Sequence, residues 1–208
     1  TADVLTGKIS PCGKLTDTIA ANVNDYPSAP YFGDPYRNFY SEDIYVGYRY
    51  FETFARDKVL YPFGFGLSYT TFDIAITGAK QLSDKWDFTV KVTNTGNYSG
   101  KEVVQIYCKA PQGRLGKPSR VLCGYEKTDT LAPGKSQVMT ISVSNAQIAS
   151  YDDSGVTGHA HCFVLEEGTY RFYAGSDVRS AKEFYHCPQN STEVISRHEQ
   201  ALAPVESF

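Results

Sequence analysis

The chain has 208 residues, enough for one large or two small domains. Its net charge of −3, with both signs interspersed, excludes the electrostatic footprint of a nucleic-acid binder or an anionic-membrane binder. Nor does any apolar run approach the roughly 18–20 residues of a membrane span, and the first residues do not read as a signal peptide. What remains is a globular protein rich in Tyr (16) and Phe (12), a composition common in β-sandwiches and sugar-handling proteins.

In chain order, Ala2, Val4 and Leu5 read as the last turn of an amphipathic helix, with Gly7 as its stop. The abruptness of this start suggests a chain that begins partway through a domain. Pro11 and Gly13 make a turn. Residues 22–43 read as an irregular loop, because Pro27, Pro30, Pro35 and Gly33 forbid a helix and the polar residues do not alternate. The stretch Tyr61–Phe72 (YPFGFGLSYTTF) places Gly64 and Gly66 between aromatics and carries more apolar area than a solvated linker needs. It reads as a packed hinge between two domains.

From Phe72 onward the pattern is β. Trp86, Phe88, Val90 and Val92 alternate with Asp87, Thr89, Lys91 and Thr93, which defines one apolar face. Val104, Ile106 and Cys108 share a face, as do Met139, Ile141 and Val143, and then Tyr170, Phe172 and Ala174. Val121–Tyr125 is a further short strand. About seven strands separated by turn signals predict an antiparallel sandwich. In the tail, Val194, Ile195, Ala201 and Leu202 predict a short helix ended by Pro204.

Residue types that could carry chemistry are sparse. Glu166/Glu167 read as a solvated hairpin, and Asp152/Asp153 as part of a solvated Ser/Gly-rich loop. Glu42 and Asp43 are expected to bond backbone or to pair with Arg49 or Arg56. Neighbouring acids on a strand point to opposite faces, so none of these pairs is automatically a catalytic dyad. His159 and His161 are placed on one strand face and Cys162 on the other, which spoils a local metal set; no metal or other cofactor is expected. Five cysteines without CxxC spacing read as reduced, mostly buried thiols. They favour a bacterial cytoplasm, whereas the sequons Asn97-Tyr98-Ser99 and Asn190-Ser191-Thr192 lean toward secretion, which stays open.

Several blocks resemble a known family. ADVLTGKISPCGKL is similar to the end of the second, α/β sandwich domain of family 3 glycoside hydrolases, with Cys12 where Ser is usual and Thr16 where Pro is usual. EDIYVGYRYF (Glu42–Phe51) and YPFGFGLSYTTF continue the match. KVTNTGNYSGKEVVQIY, KPSRVLCGYEKTDTLAPGKSQVMTISV and GTYRFYAGSD then resemble the fibronectin type III-like domain that closes such enzymes.

The resemblance implies a mainly β chain: residues 1–20 as the end of the α/β domain, 21–71 as an aromatic connecting segment, 72–187 as the fibronectin-like sandwich and 188–208 as a tail or linker. Some bacterial members carry their catalytic barrel after the fibronectin-like domain, and the wording of GKLTDT and FGFGLSYTTF is similar to those permuted enzymes. The implied activity is retaining hydrolysis of terminal β-D-glycosidic bonds. Its Asp nucleophile and Glu acid/base would lie in regions this chain lacks, so the barrel is expected as a covalent continuation or partner chain.

Within this chain, Tyr36, Phe39 and Tyr40, together with Tyr31, are suited to stack on pyranose rings. Asp34 and Arg37 are suited to bond sugar hydroxyls, making the 22–43 loop a wall of the substrate site; packing between domains is the alternative. Two other roles are compatible with the same sequence, a non-catalytic carbohydrate-binding module and a purely structural support. A homo-oligomer is a further expectation.

Overall fold

The computed structural model describes residues 1–201. Helix α1 (Ala2–Leu5) is a single turn, and the chain reverses at Gly7, whose φ of 76° suits a residue without Cβ. The 22–43 loop contains two 3-10 turns, Val23–Asp25 and Ala29–Tyr31, and no longer helix. A reciprocal box stabilises the first: Asn22 Oδ1 accepts from the Asn24 N–H and Asp25 Oδ2 from the Asn22 N–H. Strands β1 (Ile19–Ala20) and β2 (Val59–Tyr61) pair and draw the two ends of this region together.

Between them stands helix α2 (Tyr48–Phe54), which the sequence reading did not anticipate. Its signal is the spacing of Tyr48, Phe51 and Glu52, which puts three inward-facing residues on one side. Phe51 is fully buried, and its ring meets the edge of Tyr26 at 5.3 Å.

The sandwich has the predicted faces. One sheet orders β3 (Phe72–Gln81), β4 (Lys85–Asn94) and β7 (Ser136–Ser144). The other orders β11 (Lys182–Gln189), β10 (Gly168–Gly175), β5 (Val103–Lys109) and β6 (Val121–Lys127). All these pairs are antiparallel. Trp86, Phe88, Val90 and Val92 of β4 point inward and meet Val104 and Ile106 of β5 and Tyr170 and Phe172 of β10. Each such large apolar side chain contributes about 1.5–3 kcal/mol by leaving water. Four of the five cysteines, Cys108, Cys123, Cys162 and Cys187, are buried, and all five are free thiols.

Two expectations change here. The tail forms no helix at Val194 and Ile195: Glu193–Arg197 is strand β12, paired with β9 (Cys162–Leu165), which in turn pairs with β8 (Ser150–Asp152). Two adjacent β-branched residues favour a strand once an edge offers them partners. Leu202 and Pro204 lie outside the described residues. His159 and His161 do not lie on a strand either. Both belong to the turn before β9, and His161 has a φ of 58°, so strand alternation says nothing about their directions.

Candidate functional site

The most elaborated region is the junction between the 48–66 segment and the sandwich. The Tyr48 ring stacks on Phe63 at 4.4 Å, and its hydroxyl accepts the Leu122 N–H at 2.8 Å. Phe63 O accepts from the Val178 N–H at 3.1 Å, and the Gly64 N–H and Phe65 O bond Leu15 on the other side, each at 2.8 Å. Gly64 has a φ of 82°, and a Cβ there would collide with the Gln105 amide. A Cβ at Gly66 would strike the carbonyl of Gly13. These two glycines therefore serve close approach of backbone, which gives the hinge its physical content.

The ring burial is uneven, however. Phe63 and Phe65 are half-buried, while Tyr61, Leu67 and Tyr69 are exposed. The stretch is pinned on both sides mainly by backbone hydrogen bonds and close contacts.

A charged clamp completes the junction. Glu52 is buried and lies 2.8 Å from Arg179 Nε and 3.1 Å from Arg56 Nε. Ser119 donates its N–H to Thr53 Oγ1 at 2.9 Å and its hydroxyl to the Glu52 carbonyl at 3.0 Å. Arg56 thus pairs with Glu52. Among the described residues neither Glu42 nor Asp43 forms an ion pair with Arg49 or Arg56, so that expected pairing is corrected.

Both other acidic pairs also differ from expectation. Glu166 is buried and ion-paired with buried Lys117; it accepts as well from the N–H groups of Arg114 (2.6 Å) and Leu115 (3.3 Å). Only Glu167 is solvated. Asp152 is fully buried, and its carboxylate accepts from the N–H groups of Gly155 (2.7 Å), Val156 (3.1 Å) and Thr157 (2.8 Å) and from the Thr157 hydroxyl (2.5 Å). Three successive N–H groups converge because the chain turns back at Gly155, whose φ is 80°. Sequence spacing alone does not announce the burial of Glu166, because its partners lie some fifty residues away, whereas those of Asp152 lie in the turn that directly follows it.

Burial opposes ionisation of Asp152, but the Thr157 hydroxyl and the three backbone N–H groups outweigh it and hold the carboxyl below its ordinary value. A group with a folded pKa below its unfolded one stabilises the fold above the unfolded value near 3.9, and the contribution disappears as pH falls through the folded value. The melting temperature of the wild type should therefore fall more steeply below pH ~4 than that of Asp152→Asn. Parallel curves for the two proteins would show that Asp152 is not the titrating group.

Burial also pushes the thiols of Cys108 and Cys123 far above their ordinary range, so neither is a nucleophile. No group of three or more metal-ligating side chains occurs among the described residues.

The aromatic loop is placed outward. Tyr36 is 93% exposed, Tyr40 84% and Phe32 93%. Phe39 lies 5.5 Å from the Tyr31 ring. Asp34 Oδ1 accepts from the N–H groups of Tyr36 (2.9 Å) and Arg37 (3.1 Å), so this carboxylate shapes the turn that presents the tyrosines. The loop lines its own shallow cleft, with Asp34, Tyr36, Arg37 and Phe39 among the lining residues.

The antiparallel sandwich and the glycine-pinned junction define a β-sandwich module joined to the end of another domain. Comparison with known proteins identifies both parts. Residues 1–69 match the glycosyl hydrolase family 3 C-terminal domain, and residues 102–178 match the fibronectin type III-like domain. The chain belongs to glycoside hydrolase family 3 and carries these two of its domains.

It is 57% identical over its whole length to a β-glucosidase of Ruminococcus albus, of which it covers 22%. It is 33% identical over 184 residues to an exo-α-(1→6)-L-arabinopyranosidase of Bifidobacterium breve, covering 88% of this chain and 23% of that protein. The solved β-glucosidase of Paenibacillus barengoltzii superposes with a TM-score of 0.96 at 48% identity, covering all of this chain and 23% of that one. The chain thus spans about a fifth to a quarter of the length of these relatives.

Proposed function

We propose that this chain is the supporting part of a retaining β-glucosidase that hydrolyses terminal β-D-glycosidic bonds. The observation that carries the reading is end-to-end similarity, at 57% identity, to a protein named as a β-glucosidase. The chemistry agrees. Retention needs two carboxyl groups about 5–5.5 Å apart across a sugar. Here the two buried acids of the former candidate pairs are consumed, Glu166 by Lys117 and its loop and Asp152 by its own turn. On this reading the nucleophile and the acid/base belong to a barrel and an α/β domain that continue or partner this chain.

In that assembly, the sandwich and the Glu52–Arg179 clamp hold the end of the α/β domain in place. The loop bearing Asp34, Tyr36, Arg37, Phe39 and Tyr40 forms a wall of the substrate site; the outward exposure of Tyr36 and Tyr40 supports that role. A natural domain division near residue 71, just before β3, follows from the same reading. Similarity to an arabinopyranosidase as well as to β-glucosidases supports placing sugar choice outside this chain.

The test is an assay with an aryl β-glucoside. The 208-residue chain should show no turnover above buffer, while the polypeptide that joins it to the barrel should turn over. Measurable hydrolysis by the 208-residue chain would overturn the division of labour.

A further inference from the structure

Beyond the catalytic reading, a second cleft has the composition of a ligand site. It measures about 640 Å³ and lies where the two matched domains meet. One wall comes from the segment before and within α2, with Asp43, Tyr45 and Arg49. The other comes from the sandwich, with Tyr151, Asp153 and Phe163. Small-ligand sites favour such domain boundaries and have volumes of roughly 300–1,000 Å³.

The lining combines two kinds of group. Rings supply apolar faces: Tyr151 and Phe163 lie side by side at 5.1 Å, and Tyr45 is held against Phe54 at 4.9 Å. Charges of both signs supply fixed hydrogen-bonding capacity. Among the described residues, the side chains of Asp43, Arg49 and Asp153 form no ion pair, and all three line the cleft.

Lys117 also borders the cleft, but its ammonium is occupied by Glu166 and by the Pro111 carbonyl at 2.8 Å. The open charges are therefore two carboxylates and one guanidinium, a set that favours an uncharged, hydroxyl-rich partner over a strong anion. Pyranose rings fit this lining, because their C–H faces pack on aromatic rings while their hydroxyls bridge carboxylate and guanidinium.

We infer that this junction cleft is a binding site for a short, uncharged oligosaccharide, lined by residues other than those of the exposed 31–40 loop. Tyr151 and Phe163 form its platform, and Arg49, Asp43 and Asp153 bond the hydroxyls. A site contributed by both domains also couples them, since a bound sugar bridges the α2 side to the sandwich.

Titration of the 208-residue chain with cellotriose, followed by amide chemical shifts, tests this. Saturable shifts confined to residues around 43–49, 115–117 and 150–163 are expected. Tyr151→Ala should weaken binding by about tenfold or more. Asp153→Asn, which leaves the fold's core untouched, should also weaken it, whereas Tyr36→Ala in the other loop should have no effect. Absence of saturable binding tighter than about 10 mM overturns the inference. So does binding that Tyr36→Ala abolishes and Tyr151→Ala spares. Turnover by the barrel-containing polypeptide reports separately on the catalytic reading.

Discussion

Replacing Lys117 with Met should lower the stability of the chain by about 3–5 kcal/mol, the usual cost of leaving a buried charge without its partner. Both side chains of the Lys117–Glu166 pair are almost completely shielded, with relative exposures of 3% and 5%. Glu166 would keep the N–H groups of Arg114 and Leu115 but lose its only cation among the described residues. Glu166→Gln should cost a comparable amount, because it leaves the buried Lys117 ammonium without its carboxylate even though the Pro111 carbonyl still accepts from it.

The double variant Lys117→Met/Glu166→Leu separates two roles. If the pair acts mainly by mutual attraction, an apolar pair of similar volume should restore stability almost fully. The geometry argues otherwise, since removing both also strips partners from three backbone groups of the 111–118 loop. The double variant should therefore stay about 1–3 kcal/mol below wild type. Chemical denaturation of the four proteins gives the cycle directly, and an unchanged midpoint for Lys117→Met would show that the loop opens to solvent.

Phe88→Ala should also cost about 3–5 kcal/mol. Phe88 is fully buried, with ring neighbours Phe172 at 5.0 Å, Phe184 at 4.9 Å and Tyr185 at 6.0 Å. It therefore joins the β4 sheet to β10 and β11 of the opposite sheet. Phe172→Ala should cost a similar amount, because that ring is fully buried as well and lies 5.4 Å from Trp86. The two losses should not add, as the rings touch and share the term of about 0.5–1.5 kcal/mol that a ring pair adds to its area. Since single domains have only about 5–15 kcal/mol in hand, the double variant should be largely unfolded at room temperature. Near-UV circular dichroism would show it, and a cooperative native transition in the double variant would contradict the packing.

These two sites differ in how visible they are before folding. The Phe88 face announces itself through strict alternation in WDFTVKV, because a strand with one buried face must place its apolar residues at every second position. The same reasoning correctly placed the faces of β5, β7 and β10. No comparable rule marks Lys117, Glu166 or Asp152. Each is a charged residue in a turn-rich stretch, where solvent is the ordinary environment, and each is buried only because the chain folds back over it. Val194 and Ile195 illustrate the complementary case: their neighbours suit a short helix, and only the free edge of β9 makes them a strand.

By itself, the sequence determined the sandwich, its inward faces and, through the FGFGLSYTTF block and its neighbours, membership of a glycoside hydrolase family. Periodicity and local wording survive any uncertainty about long-range contacts. Tertiary structure alone decided which acids are buried, where the tail goes, and that residues 43–49 and 150–163 face each other across a cleft. The burial of Glu166, the course of the tail and the cleft depend on pairings between residues tens of positions apart, whose partners exist only once the chain has closed, whereas the Asp152 carboxylate is held by residues 155–157 of its own turn.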